Sequence, residues 1–162
     1  LCFGTCFSET ENSKAIQTYF GTTAKLGEGT VYKFVFPAYD ISLWTKKPWS
    51  YKDTFGLEVK CRWDATKEEM VDSTVEVMQR NPNLTEKKSQ LYRDMLLSFY
   101  PDLKENDIVT VIFIPNEKIS FYHNNKLLKE VPDMEFAKNF CDIWLHPKTK
   151  YQEARTCMLG QE

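Results

Sequence analysis

Hydrophobic positions along the chain change period three times, from two to helical spacing, back to two, and to helical spacing again. Thr30 to Phe36 is β-branched and aromatic and predicts a strand, interrupted at Pro37, which has no N–H to give to a ladder. Ala38 to Trp44 then alternates, with Tyr39, Ile41 and Leu43 on one face and Asp40 and Ser42 on the other. After a Lys/Pro/Trp loop over 45–53, Phe55 to Trp63 alternates most strictly: Phe55, Leu57, Val59, Cys61 and Trp63 against Gly56, Glu58, Lys60 and Arg62. Such a pattern predicts a sheet with one covered face and one wet face.

Helical spacing takes over at Thr66-Lys67-Glu68-Glu69, a capping box, and continues through Met70, Val71, Val75 and Met78. Asn81-Pro82-Asn83 stops it, and Leu84 to Phe99 predicts a second helix with Leu84, Leu91, Met95 and Phe99 on its stripe. From Ile108 the period is two again. Ile108–Ile114, Lys118–His123 and Lys126–Val131 predict a meander, its second turn made by Asn124-Asn125, since asparagine tolerates positive φ. Asp133 opens a third helix carrying Phe136, Phe140, Ile143 and Trp144, and a last short helix over Tyr151–Leu159 runs into Gly160. Six or seven strands and four helices in blocks argue an α+β fold, an antiparallel sheet with helices gathered on one face.

Length and composition narrow the class. At 162 residues the chain is about one domain, typically about 100–150 residues. Residues 14–162 are expected to form it, with 1–13 a leader remnant or flexible N-terminus. A net charge of -2 leaves no cationic excess to draw in a phosphate backbone, so nucleic acid is not an expected partner. The longest apolar run, Ile108–Ile114, is far below the ~20 residues of a spanning helix, so no integral membrane segment is expected. The apolar Leu1 to Phe7, followed by polar residues, reads as the end of an export signal and suggests a soluble, periplasmic or otherwise exported protein. Cys61, Cys141 and Cys157 sit among apolar neighbours and read as buried free thiols.

Motifs for catalysis are sparse. Gly27-Glu28-Gly29 reads as a turn before a strand rather than a phosphate loop, and Cys141 with His146 lacks a second pair for zinc. His123 falls at a hairpin tip and reads as solvated, while Glu68 and Glu69 occupy a helix first turn, where carboxylates favour the dipole. Neither a metal nor a cofactor is expected.

Three segments, in order, resemble bacterial chalcone isomerase-like proteins. They are Val31-Tyr32-Lys33-Phe34 through Ala38-Tyr39-Asp40-Ile41-Ser42-Leu43-Trp44, then Phe99-Tyr100-Pro101-Asp102 through Asp107, and finally Asp133 to Gly160 with Phe136-Ala137, Ile143-Trp144-Leu145, Arg155 and Leu159-Gly160. The resemblance runs from about residue 26 to 160, with Asn106 and Met158 in place of a usual glycine and leucine. It implies an open-faced β-sandwich, a large antiparallel sheet backed by helices with a cleft between the layers. Plant members of that family cyclise chalcones or bind fatty acids.

In the enzymes a guanidinium stabilises the phenolate nucleophile. The window matching that arginine is Lys25 to Val31, which holds none; the chain's four arginines are Arg62, Arg80, Arg93 and Arg155. The enzyme's strand threonine matches Tyr39, and its helix tyrosine and asparagine fall near Glu69 or Met70 and near Glu76 or Val77, where neither is retained. Tyr39 does match the tyrosine with which fatty-acid-binding members hold a carboxylate. The resemblance thus implies a non-catalytic protein holding a small apolar or fatty-acid-like ligand. Tyr39, Ile41 and Leu43 would line the cleft from the sheet, Tyr32 and Lys33 from the preceding strand, and Met70, Val75, Leu91 and Met95 from the helices. Two alternatives stand beside it: an intramolecular lyase or isomerase using Lys33 or Tyr39, and an interaction module with a filled core that acts through an exposed apolar patch.

Overall fold

A computed structural model describes residues 13–21, 24–46 and 48–161; of the expected leader, residues 1–13, only Ser13 lies within them, as the N-cap of the first helix. Helix α1 spans Lys14–Phe20. Strands β1 (Lys25–Lys33), β2 (Phe36–Trp44) and β3 (Phe55–Cys61) are followed by α2 (Lys67–Met78) and α3 (Glu86–Phe99). The meander β4 (Ile108–Ile114), β5 (Lys118–His123) and β6 (Lys126–Val131) leads to α4 (Met134–Leu145) and α5 (Gln152–Met158). The six strands form one antiparallel sheet in sequence order, so every strand pairs with its chain neighbour. The α+β class and the helix-backed open sheet read from the sequence are what the chain adopts.

Local chemistry explains the elements. The Thr66 side chain accepts from the Glu69 amide while the Glu69 carboxylate accepts from the Thr66 amide, the reciprocal box that starts α2. Thr85 and Asp133 cap α3 and α4 in the same way through single side-chain acceptors. Asn124 and Asn125 turn the β5–β6 hairpin at φ 46° and 73°.

The main core lies between the sheet and α2–α5. Ile41, Leu43, Leu57, Val59 and Val111 project from the sheet into a cluster with Val71, Leu96, Phe136 and Phe140. Phe121 sits centrally, with ring centroids 5.0 Å from Phe140 and 6.2 Å from Phe136. Each such ring contributes roughly 1.5–3 kcal/mol by leaving water.

Four sequence expectations need correction. The run Thr30–Phe36 is not one strand: the chain reverses at Phe34-Val35, with Phe34 at φ 58°, so the hairpin end falls inside the most strand-like stretch. Its β-branched and aromatic composition hid a turn that carries no glycine or asparagine. Gly27 and Gly29 lie within β1, not in a turn before it; a Cβ on Gly27 would lie 2.0 Å from the Cys157 carbonyl oxygen, and one on Gly29 2.8 Å from Ala154 Cα. These glycines let α5 rest directly on the strand backbone. The second face of the sheet is not simply wet, because α1 places Ile16 and Phe20 against Gly56, Trp44 and Ile112. A helix of seven residues is too short to announce itself by periodicity. Finally, Cys157 is disulfide-bonded, whereas Cys61 and Cys141 are buried free thiols as expected. Among the described residues no helix is long and apolar enough to cross a membrane.

Candidate functional site

Tyr39 points from β2 toward the helices, as its alternation with Asp40 requires. Its hydroxyl accepts a hydrogen bond from Trp144 Nε1 on α4 at 2.8 Å, and the two rings meet edge-on at 6.4 Å. Burial pushes the phenol far above its ordinary pKa, with Tyr151 and Tyr100 adding to the effect and the Trp144 bond opposing it. It stays protonated at any physiological pH. Ile41 and Leu43, two positions further along the same face, have no exposed surface. Val75 is buried, and Met70 and Met95 pack against the same cluster. The sequence-derived sheet and helix positions therefore meet, but as interlocked core side chains.

Three expected cleft residues lie elsewhere. Tyr32 and Lys33 are exposed at the β1–β2 hairpin end, because the chain turns at the very next residue. Leu91 is exposed on the outer side of α3, whose buried stripe runs through Ser89, Tyr92 and Leu96. Tyr92 takes the inward place, its ring 5.0 Å from Phe136. Choosing leucine over tyrosine by hydrophobicity selected the wrong residue of an adjacent pair. His123 also differs: Nε2 lies 2.9 Å from the Asp107 carboxylate, so the ring is a hydrogen-bonded, partly buried partner rather than a solvated tip.

A concave site does exist at the opposite end of β1. An open groove of about 610 Å³ runs between the start of β1, the loop after β2 and the C-terminal helix. Its apolar wall is built from Leu26, Trp49 and Leu159, its cationic rim from Lys25, Lys46 and Arg155, and none of the described residues that line it is acidic. Such a volume falls in the range of about 300–1,000 Å³ that holds one small ligand.

Arg155 is set by the chain around it. Its own helix, α5, packs through Ala154 on Gly29, and the Arg155 Nε donates to the Leu145 carbonyl at the end of α4, at 2.9 Å. The side chain is half-buried, and the rest of its guanidinium has no partner among the described residues. Trp49 packs on Tyr51 and Phe55 at 5.0 and 5.9 Å, and its Nε1 donor is buried without a partner among the described residues. Tyr51 in turn donates to Asp142 at 2.6 Å, which fixes the aromatic cluster against α4. Lys25 reaches Glu28 at 2.5 Å, and burial raises the Glu28 pKa against the lowering influence of that lysine. The unpaired part of the Arg155 guanidinium and a cationic rim over an apolar wall suit a molecule with an anionic head and a hydrocarbon body.

Leu26 lies inside the window where the sequence comparison expects an arginine, and Arg155 lines the same groove. A guanidinium thus borders that window from a helix that lies more than a hundred residues later in the chain. Only the glycine pair in β1 signalled that another backbone would lie there.

The chalcone isomerase-like family model matches residues 14–160. No curated protein matches the chain in sequence. Among solved structures, the chain is similar to a fatty-acid binding protein of Arabidopsis thaliana, with a TM-score of 0.61 at 8% identity, covering 85% of this chain and 88% of that one. At that identity the likeness is one of fold.

Proposed function

Because the chain belongs to the chalcone isomerase-like family, we propose that it is a non-catalytic binding protein that holds an anionic amphiphile, of the fatty-acid type, in the groove between β1 and α5. One observation carries the reading. The half-buried Arg155 guanidinium uses Nε on the Leu145 carbonyl and lines, with its remaining donors unpaired, a groove that has no acid among its described residues. A guanidinium fork pairs with a carboxylate through two parallel bonds, which fixes a head group while Leu26, Trp49 and Leu159 cover the chain. The fold shared with a plant fatty-acid binding protein supports the same ligand class.

Neither residue put forward for a lyase has a place to act. The Tyr39 phenol is held neutral and bonded to Trp144, and Lys33 stands exposed at the hairpin end. The disulfide at Cys157 supports an exported location, since such bonds persist in oxidising compartments.

The test is direct. Protein purified under native conditions is extracted with organic solvent for mass spectrometry, and delipidated protein is titrated calorimetrically with dodecanoate and hexadecanoate. A co-purifying acyl lipid with saturable binding is expected. An empty extract with no heat of binding for either acid overturns the proposal.

A further inference from the structure

We propose that the β1–β2 hairpin end is a membrane anchor that inserts into the headgroup region of a lipid bilayer. This is independent of the groove. The hairpin end lies eight strand residues from Lys25, roughly 26 Å away along β1.

The apolar surface there is continuous and built. Tyr32, Phe34, Val35 and Phe36 are 54%, 91%, 79% and 60% exposed, and Trp63 beside them is 59% exposed. Trp63 Nε1 donates to the Pro37 carbonyl at 2.8 Å, so its one polar group is satisfied and the ring is held on the hairpin. Elsewhere among the described residues every non-glycine at positive φ is an asparagine: Asn106, Asn116, Asn124 and Asn125. At the hairpin end the residue is Phe34. A bulky aromatic in the left-handed region costs stability that asparagine largely avoids. The fold tolerates that cost where the side chain points into water, and burial in another phase would recover it.

Geometry and charge select a bilayer as the occupant. Register pairs Tyr32 with Pro37 and Lys33 with Phe36, so apolar side chains project from both faces of the ribbon as well as from its tip. A fluid apolar phase envelops all three, whereas a flat protein surface covers one. From Gly29 to Tyr39 the chain carries Lys33 and no carboxylate. Asp40, the next acid, is bound by Arg62 through two bonds of 2.8 and 3.0 Å and by Thr30, and Asp64 faces Lys104 at 3.7 Å. The end therefore presents aromatic rings with a cation behind them, the composition that settles at an anionic membrane interface.

The experiment uses the full chain with vesicles of equal parts phosphatidylcholine and phosphatidylglycerol, read by co-sedimentation and by tryptophan emission. Trp44 and Trp144 are buried and Trp49 lies half-buried in the groove, so only a blue shift that vanishes in Trp63→Phe reports the hairpin. Phe34→Asn restores the residue used at the other turns; it should melt no lower than wild type yet lose roughly tenfold in vesicle partition. Lys33→Gln should lose about fivefold on these vesicles and nothing on pure phosphatidylcholine. Arg155→Gln should bind vesicles like wild type, which separates this site from the groove. Wild-type protein that ignores vesicles, or Phe34→Asn binding undiminished, overturns the proposal. A dimer that Phe34→Asn dissociates, without wild-type vesicle binding, also overturns it and assigns the surface to a second copy.

Discussion

The indole N–H of Trp144 and the hydroxyl of Tyr39 meet at 2.8 Å and join α4 to the middle strand of the first sheet half. The hydroxyl that the family resemblance offers to a ligand's head group is here taken up by a neighbouring side chain. Tyr39→Phe removes the acceptor and strands the indole donor in a buried site. It should destabilise by about 1–3 kcal/mol in denaturant melts and leave fatty-acid affinity unchanged. A large loss of affinity in a protein of normal stability would return Tyr39 to the binding site.

Arg155→Gln should have the converse signature. Loss of a charge-assisted pair costs about 1.5–3 kcal/mol, so carboxylate affinity should fall by roughly ten- to a hundredfold in calorimetric titration. Binding of the corresponding alcohol, which has no charge to pair, should change far less. Arg155→Lys should recover only part of the loss, because an ammonium cannot reproduce the fork.

Gly27→Ala tests what brings Arg155 to the groove. The new methyl would sit on the backbone of Cys157 and Met158, which cannot rotate away, so α5 must lift. Destabilisation of about 1–3 kcal/mol is expected in thermal melts, together with weaker fatty-acid binding. Gly21→Ala is a useful contrast, since nothing lies near its Cβ and its cost should come from φ 65° alone.

Two carboxylates should give pH dependences of opposite sign. Burial raises the Glu58 pKa, outweighing the lowering bonds from the Ser13 amide and hydroxyl. A raised folded value favours the fold below the unfolded pKa and loses that benefit as pH rises through the folded value. Glu58→Gln should therefore raise the Tm at neutral pH and match wild type in acid. For Asp107, burial raises the pKa, but bonds from the Lys104 amide, Asn124 and His123 outweigh it and the net is downward. Its contribution is present above the ordinary aspartate value and fades as pH falls through the lowered one. Asp107→Asn should lower the Tm at neutral pH, and the gap to wild type should close in acid. Melts from pH 3 to 8 check both signs.

Much of the fold was legible because its signals are local. The capping box at Thr66 and Glu69, the asparagine turn at 124–125 and the alternation of Phe55 to Cys61 act through neighbours within a few residues. The first hairpin was not legible, because Phe34 turns the chain without a turn-forming residue. Nor was α1, whose seven residues matter only once Gly56 leaves space for Ile16 and Phe20.

By itself the sequence determined the main buried face, and with that the antiparallel sheet and the helix layer over it; three ordered segments carried the likeness to the family. Tertiary structure alone decided the site. Leu26, Trp49 and Arg155 come from three distant stretches, and no periodicity relates them. They meet because two glycines let α5 rest on β1, while Trp144 takes up the Tyr39 hydroxyl. Burial patterns record whether a side chain leaves water; which distant side chain it meets there depends on how the layers close.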